Sequence, residues 1–179
     1  MPVKKLLPRQ KVPDISLPLI SGEAWSLSDE RPENFSLVVF YRGRHCPVCR
    51  SQLSDLKRNL DKFAELGVNV IAISSDNKER AIDTHAAWKL AELRLAYGLS
   101  LEEARNWGLF ISKGIGETSI GIEEPDYFSE PGIFLIRPDQ SLYFSTIQTM
   151  PFARPQWADV LNAIKVVLKK DYPARGEVE

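Results

Sequence analysis

Cys46 and Cys49 are the only cysteines of this chain, and they lie in the stretch FYRGRHCPVCR, residues 40–50. The chemistry open to a thiol pair at this spacing is attack by a thiolate followed by disulfide closure. An apolar run, residues 37–41, leads into the pair, and an amphipathic helical pattern, roughly residues 47–66, leads out. A cysteine where a helix begins faces unpaired backbone N–H groups and the positive end of the helix dipole, and both favour the anion. Cys49 follows about one turn later, which brings the two sulfurs to the same side and within bridging reach. Arg42, Arg44, His45 and Arg50 add positive or potentially positive charge around them. Pro47 has no N–H to give, and a first helical turn does not need it. Cys46 is therefore read as the nucleophile and Cys49 as the residue that resolves its product. An external thiol or dithiol must then re-reduce the disulfide.

Other uses of the pair fit less well. A structural zinc site needs four Cys or His ligands. Only His45, adjacent to Cys46, and the remote His85 could join the cysteines. Covalent haem attachment needs a His after the second cysteine, and here it precedes the first. Two structural core cysteines would not call for a strand before and a helix after. His85 reads as a helix-surface or capping residue, and Trp107, Tyr127 and Phe128 as packing residues. No cofactor and no metal is expected.

The elements that must hold the pair are legible around it. Residues 37–41 and 68–73 are continuous apolar, β-branched-rich runs, the pattern of strands buried on both faces. Between them Leu53, Leu56, Leu60, Phe63 and Leu66 make one helical stripe, stopped by Gly67. The unit is βαβ with parallel strands. Upstream, residues 14–17 and 24–27 alternate polar and apolar and predict a β-ribbon, preceded by an extended arm at residues 1–11. Downstream, Ser74, Ser75 and Asp76 offer cap oxygens to a helix at residues 79–90. Ser100 and Glu103 form a capping box for a short helix ending near Trp107. Residues 112–132 read as a long Gly-containing loop. Residues 133–136 and 141–144 read as an antiparallel hairpin. A last helix is expected with Pro155 at its first position and Trp157, Val160, Leu161, Ile164, Val167 and Leu168 as its core stripe. The charged tail, residues 172–179, reads as flexible. The expected fold class is α/β: a central mixed β-sheet flanked by helices in a thioredoxin-like arrangement, one domain over residues 1–179.

The net charge of −1 excludes a broad basic footprint, so neither nucleic acid nor an anionic membrane is an expected partner. No run of about 18 apolar residues predicts a membrane span. The N-terminal residues are interrupted by Pro8, Pro13 and Pro18 and do not read as a secretory signal, so a cytoplasmic location is expected.

Taken together, these residues resemble the thioredoxin-fold superfamily, and more closely the peroxiredoxin-like branch of the alkyl hydroperoxide reductase/thiol-specific antioxidant family. KVPDISLPLISGEAWSLSDE is similar to the family's opening, and VVFYRGRHCPVC followed by VIAISSD to its core. Tyr97-Gly98 and the stretch PGIFLIRPD, residues 131–139, are similar to its later strand and turn. The resemblance covers about residues 12–170. It departs at the site. The family's Pro-x-x-x-Thr-x-x-Cys is absent, since Arg42-Gly43-Arg44-His45 precede Cys46 with neither the Pro nor the Thr. The family's Arg before the later strand is replaced by Pro131, which matches the cis-proline of thioredoxins. A cis Pro131 packed on the cysteine pair is accordingly expected.

The resemblance implies a thiol peroxidase, with Arg42 or Arg44 steadying charge on the departing oxygen and a thioredoxin-type or other thiol as reductant. It also implies a homodimer. A thioredoxin-like protein-disulfide reductase and a non-enzymatic redox sensor or binding module are the alternatives.

Overall fold

The computed structural model describes residues 5–179. In chain order its elements are β1 (Ser16–Pro18), β2 (Ala24–Ser26), a 3-10 turn (Leu27–Asp29), β3 (Phe35–Phe40), α1 (Pro47–Arg58), α2 (Leu60–Glu65), β4 (Val68–Ile73) and α3 (Lys78–Ala87). There follow β5 (Leu95–Ala96), α4 (Leu101–Asn106), β6 (Ile111–Lys113), β7 (Tyr127–Ser129), β8 (Gly132–Ile136), β9 (Leu142–Ile147) and α5 (Trp157–Lys170). Five strands form the central sheet in the order β5-β4-β3-β8-β9. The β5-β4-β3 half is parallel, and β8 and β9 join it antiparallel. This is the expected mixed sheet.

The strand β3 lies at its centre because every one of its residues is buried. Its alternation feeds two cores. Phe35, Leu37 and Val39 pack with Leu53 and Leu56 of α1, Phe63 of α2, and Trp157, Leu161 and Ile164 of α5. Val38 and Phe40 face the other way, onto Trp25 of the ribbon, Ala104 of α4 and Trp107. Trp107 stacks edge-on to Phe134, with ring centroids 5.1 Å apart, which makes it a packing residue as expected.

Several boundaries differ from the sequence reading. The expected helix at residues 47–66 is broken at Asn59, whose φ/ψ of −106°/5° lies outside the helical region. Its side-chain Nδ2 donates to the Asp55 carbonyl at 2.8 Å and so competes with the helix ladder. The cap of α3 is Asn77, whose side chain accepts from the Arg80 N–H, and not Ser74, Ser75 or Asp76. Residues 112–132 are not an open loop: β6 and β7 pair within them, in the register Ser112↔Phe128. Gln156 caps α5, so Pro155 lies just before the cap and not at the first helical position, and Leu168 of the expected core stripe is exposed. The Ser100/Glu103 capping box forms as read.

The chain ends are tied to the body where they can be described. In the arm, Leu7 is buried, and the Arg9 N–H donates to the Leu142 carbonyl at 2.7 Å. Residues 1–4 of that arm lie outside the described residues. At the other end of residues 7–20, the Ile20 N–H donates to the Leu95 carbonyl, and Leu19 bridges Ala96. The tail, read as flexible from its charge, is held by specific contacts. Tyr143 Oη donates to the Tyr172 carbonyl at 2.8 Å, Ala174 is buried, and Arg9 Nε donates to the Ala174 carbonyl at 3.0 Å. Among the described residues, no helix is long and apolar enough to cross a membrane.

Candidate active site

The cysteine turn begins where β3 ends. Gly43 has φ +135°, and a Cβ there would stand 2.8 Å from Asp76 Oδ1, so the close approach to Asp76 requires glycine. Asp76, buried three residues after β4, accepts from the Arg44 N–H at 2.7 Å and pins the turn. The Cys46 N–H then donates to the Gly43 carbonyl at 3.1 Å. Cys46 itself is the N-cap of α1, with Pro47 at the start of the helix, and its Sγ accepts from the Cys49 N–H at 3.2 Å. Both cysteines are free thiols and fully buried.

The pair is electrostatically unequal. The Cys46 thiol is lowered to about 6, first by the hydrogen bond from the Cys49 thiol and then by the Cys49 backbone N–H, Arg154 and Arg42, against the opposing effect of burial. Burial, and then its hydrogen bond to Cys46 and the Cys46 charge, push Cys49 well above the usual thiol range. One sulfur is thus poised as the anion and the other as its proton donor.

The charges around the pair are not those the sequence suggested. Arg42 ion-pairs with Glu130 at 3.1 Å and Glu124 at 3.5 Å, with its guanidinium 4.7 Å above the Phe128 ring. It acts on Cys46 only as the weakest of the four favourable influences. Arg44 turns to Asp83, with Nε to Oδ2 at 2.8 Å. Arg50 is exposed on α1. His45 is buried with its ring centroid 4.6 Å from that of Phe128, and its pKa is held down to about 3 by burial and by Arg42 and Arg80. It is a neutral packing ring and brings no positive charge.

The group that does reach the sulfurs is Arg154, just before α5. Its Nη2 lies 3.4 Å from Cys49 Sγ and 3.9 Å from Cys46 Sγ. Nothing in the sequence marks this residue: it stands more than 100 positions after the pair, and only the packing of α5 against α1 delivers it. A cavity of about 390 Å³ beside it is lined by Val48, Gln52, Phe152, Arg154 and Trp157.

Pro131 is buried, and the register Phe40↔Gly132 brings it to the end of the sheet where the cysteine turn starts. No cis peptide bond occurs among the described residues, so the Glu130–Pro131 bond is trans and the expected cis-proline is corrected. Trans is the intrinsically preferred X–Pro isomer, and it serves here while the Glu130 N–H donates to the Phe110 carbonyl at 2.7 Å and the Pro131 carbonyl accepts from the Gln148 N–H at 3.0 Å. Phe128 packs as read, whereas Tyr127 is exposed. His85 lines a separate groove with Ile20 and Leu95. No group of three or more metal-ligating side chains occurs among the described residues.

Comparison with known proteins agrees with this architecture. Peroxiredoxin Bcp of Escherichia coli K12 is 31% identical over 111 residues, 62% of this chain and 70% of that protein. Among solved structures, peroxidoxin BcpB of Mycobacterium tuberculosis superposes with a TM-score of 0.71 at 18% identity, over 91% of this chain and 99% of that one. AhpC of Mycobacterium bovis superposes with a TM-score of 0.71 at 15% identity, over the whole of both chains. These structures establish the fold. The sequence pattern of the AhpC/TSA family matches residues 8–145, a stretch that includes both cysteines, and the chain belongs to that family.

Proposed function

We propose that this protein is a thiol peroxidase in which Cys46 is the nucleophile and Cys49 the resolving thiol. The observation that carries the reading is Cys46 Sγ at the N-cap of α1, accepting from the Cys49 N–H at 3.2 Å, with Arg154 against both sulfurs. The Cys46 thiolate attacks one peroxide oxygen, and the O–O bond breaks. Cys46 becomes a sulfenic acid, and the departing alkoxide or hydroxide takes a proton to leave as alcohol or water. Arg154 is the cation positioned to steady that departing charge, a role the sequence assigned to Arg42 or Arg44. The Cys49 sulfur then attacks Cys46, the S–S bond forms and water leaves. An external thiol or thioredoxin-type dithiol returns both thiols and is itself oxidised to a disulfide. A reducing compartment such as the cytoplasm suits this cycle. Homodimer formation is part of the same proposal.

Protein-disulfide reduction uses the same thiolate, and the C-x-x-C spacing supports it as the second reading. Stopped-flow mixing of the reduced protein with hydrogen peroxide and with an organic hydroperoxide decides between them. The expected result is consumption far faster than by a free thiol, lost in Cys46→Ser, with Cys49→Ser completing one turnover only. Consumption no faster than by a free thiol, with rapid reduction of a protein disulfide, would establish the second reading instead.

A further inference from the structure

Arg154 is half-buried and long, and its charged head would lie in water unless something fixed it. Two groups do. Its Nε donates to the Pro151 carbonyl, within its own segment, at 2.6 Å. Its Nη1 donates to Gln52 Oε1, also at 2.6 Å. Gln52 lies on α1 three residues beyond Cys49, so the helix that carries the thiols also carries the anchor. The Gln52 main-chain carbonyl accepts from Trp157 Nε1 at 2.9 Å, which fixes the first residue of α5 at the same point.

The other half of the Gln52 amide is informative. Gln52 is 8% exposed, and its Nε2 has no hydrogen-bond partner among the described residues. A buried donor left unmet is destabilising, and an apolar side chain of similar volume would avoid that penalty. What an apolar side chain lacks is the oxygen that holds Arg154.

We propose that Gln52 is a positioning residue that aims the Arg154 guanidinium at the sulfurs of Cys46 and Cys49. The proposal rests on the reading of Cys46 as the reactive thiol. It acts through Arg154 alone: without the Gln52 oxygen the guanidinium has a single anchor on a segment next to the exposed Phe152, and solvent competes for it.

The test is iodoacetamide alkylation of the reduced full-length protein across pH, with Cys46 followed by peptide mass spectrometry and thermal unfolding measured in parallel. In Gln52→Leu the midpoint for Cys46 is expected to rise by about one pH unit, so that alkylation falls about five-fold near pH 6 and hardly changes near pH 8. The melting temperature is expected to hold or rise. Gln52→Glu, whose carboxylate engages the guanidinium and adds negative charge near the thiolate, should raise the midpoint at least as far. Gln52→Met, unbranched like Gln, replaces the Leu variant if that one does not fold. An unchanged midpoint in these variants overturns the proposal. So does a lower melting temperature together with an equal loss of alkylation at every pH, since that is the signature of packing alone. Alkylation needs no peroxide. A wild-type Cys46 that titrates low but fails to consume peroxide would therefore count against the peroxidase reading and not against the role of Gln52.

Discussion

His45 shows how an ionisable side chain beside a nucleophile can serve packing and leave its mark on stability. Its ring lies against Phe128 between Arg42 and Arg80, and its folded pKa of about 3 compares with about 6.5 in an unfolded chain. Between those values the unfolded chain binds a proton that the folded chain refuses. Stability therefore rises with pH across that window, is fully present above about pH 6.5 and is lost toward pH 3. His45→Phe should flatten this acid limb. Between about pH 7 and pH 4 the wild type is expected to lose on the order of 2 kcal/mol more than the variant in urea unfolding. Equal losses would mean that His45 does not stay neutral. At this scale the N-cap position of Cys46 and its contact with Cys49 were legible because local spacing sets them: a helix start and one turn. The charges were not. Whether Arg42, Arg44 or Arg154 faces the sulfurs depends on where Glu130, Asp83 and Gln52 lie, and each of these is brought in by tertiary packing.

Glu130 joins three elements at once. It pairs with Arg42 of the cysteine turn, accepts from Ser112 Oγ of β6 at 2.6 Å, and directly follows β7. Both partners of the ion pair are largely buried, so removing the carboxylate leaves a buried cation with only Glu124 at 3.5 Å. Glu130→Ala should destabilise the protein by about 3 kcal/mol. Amide exchange should rise most over residues 111–129. A loss of protection spread evenly over the central sheet would show that the hairpin is not the element Glu130 secures. The strands β3 and β4 could be read from the sequence because each is a six-residue run of mostly buried apolar side chains. The strands β6 and β7 could not: each has three residues, and the segment between them is rich in Gly and Glu. The break at Asn59 was equally hidden, because the apolar stripe continues across it and only the side-chain bond to Asp55 reveals it.

Across the whole molecule, the parallel pair β3 and β4 and the antiparallel hairpin β8 and β9 were legible in the sequence as apolar runs, whereas the two-residue β5 and the strand order were not. The packing of the tail was not, since its charge pattern gave no sign that Ala174 would be buried. Deleting residues 172–179 removes the acceptors for Tyr143 Oη and for Arg9 Nε together with the buried Ala174, and should lower stability by about 1–2 kcal/mol in denaturant unfolding. No change in the unfolding midpoint would show that these contacts are not held in solution. Residues 7–20 run from one edge of the central sheet to the other, pairing with Leu142 at the start of β9 and with Leu95 and Ala96 of β5. This has a consequence for synthesis. The segment is synthesised well before one of its docking strands, which is made only after residue 141. Until then the nascent chain carries Ile15, Leu17, Leu19 and Trp25 without their full burial, and the sheet edges stand uncovered. Closure depends on contacts between distant parts of the chain, the kind of pairing whose loop-closure entropy slows folding.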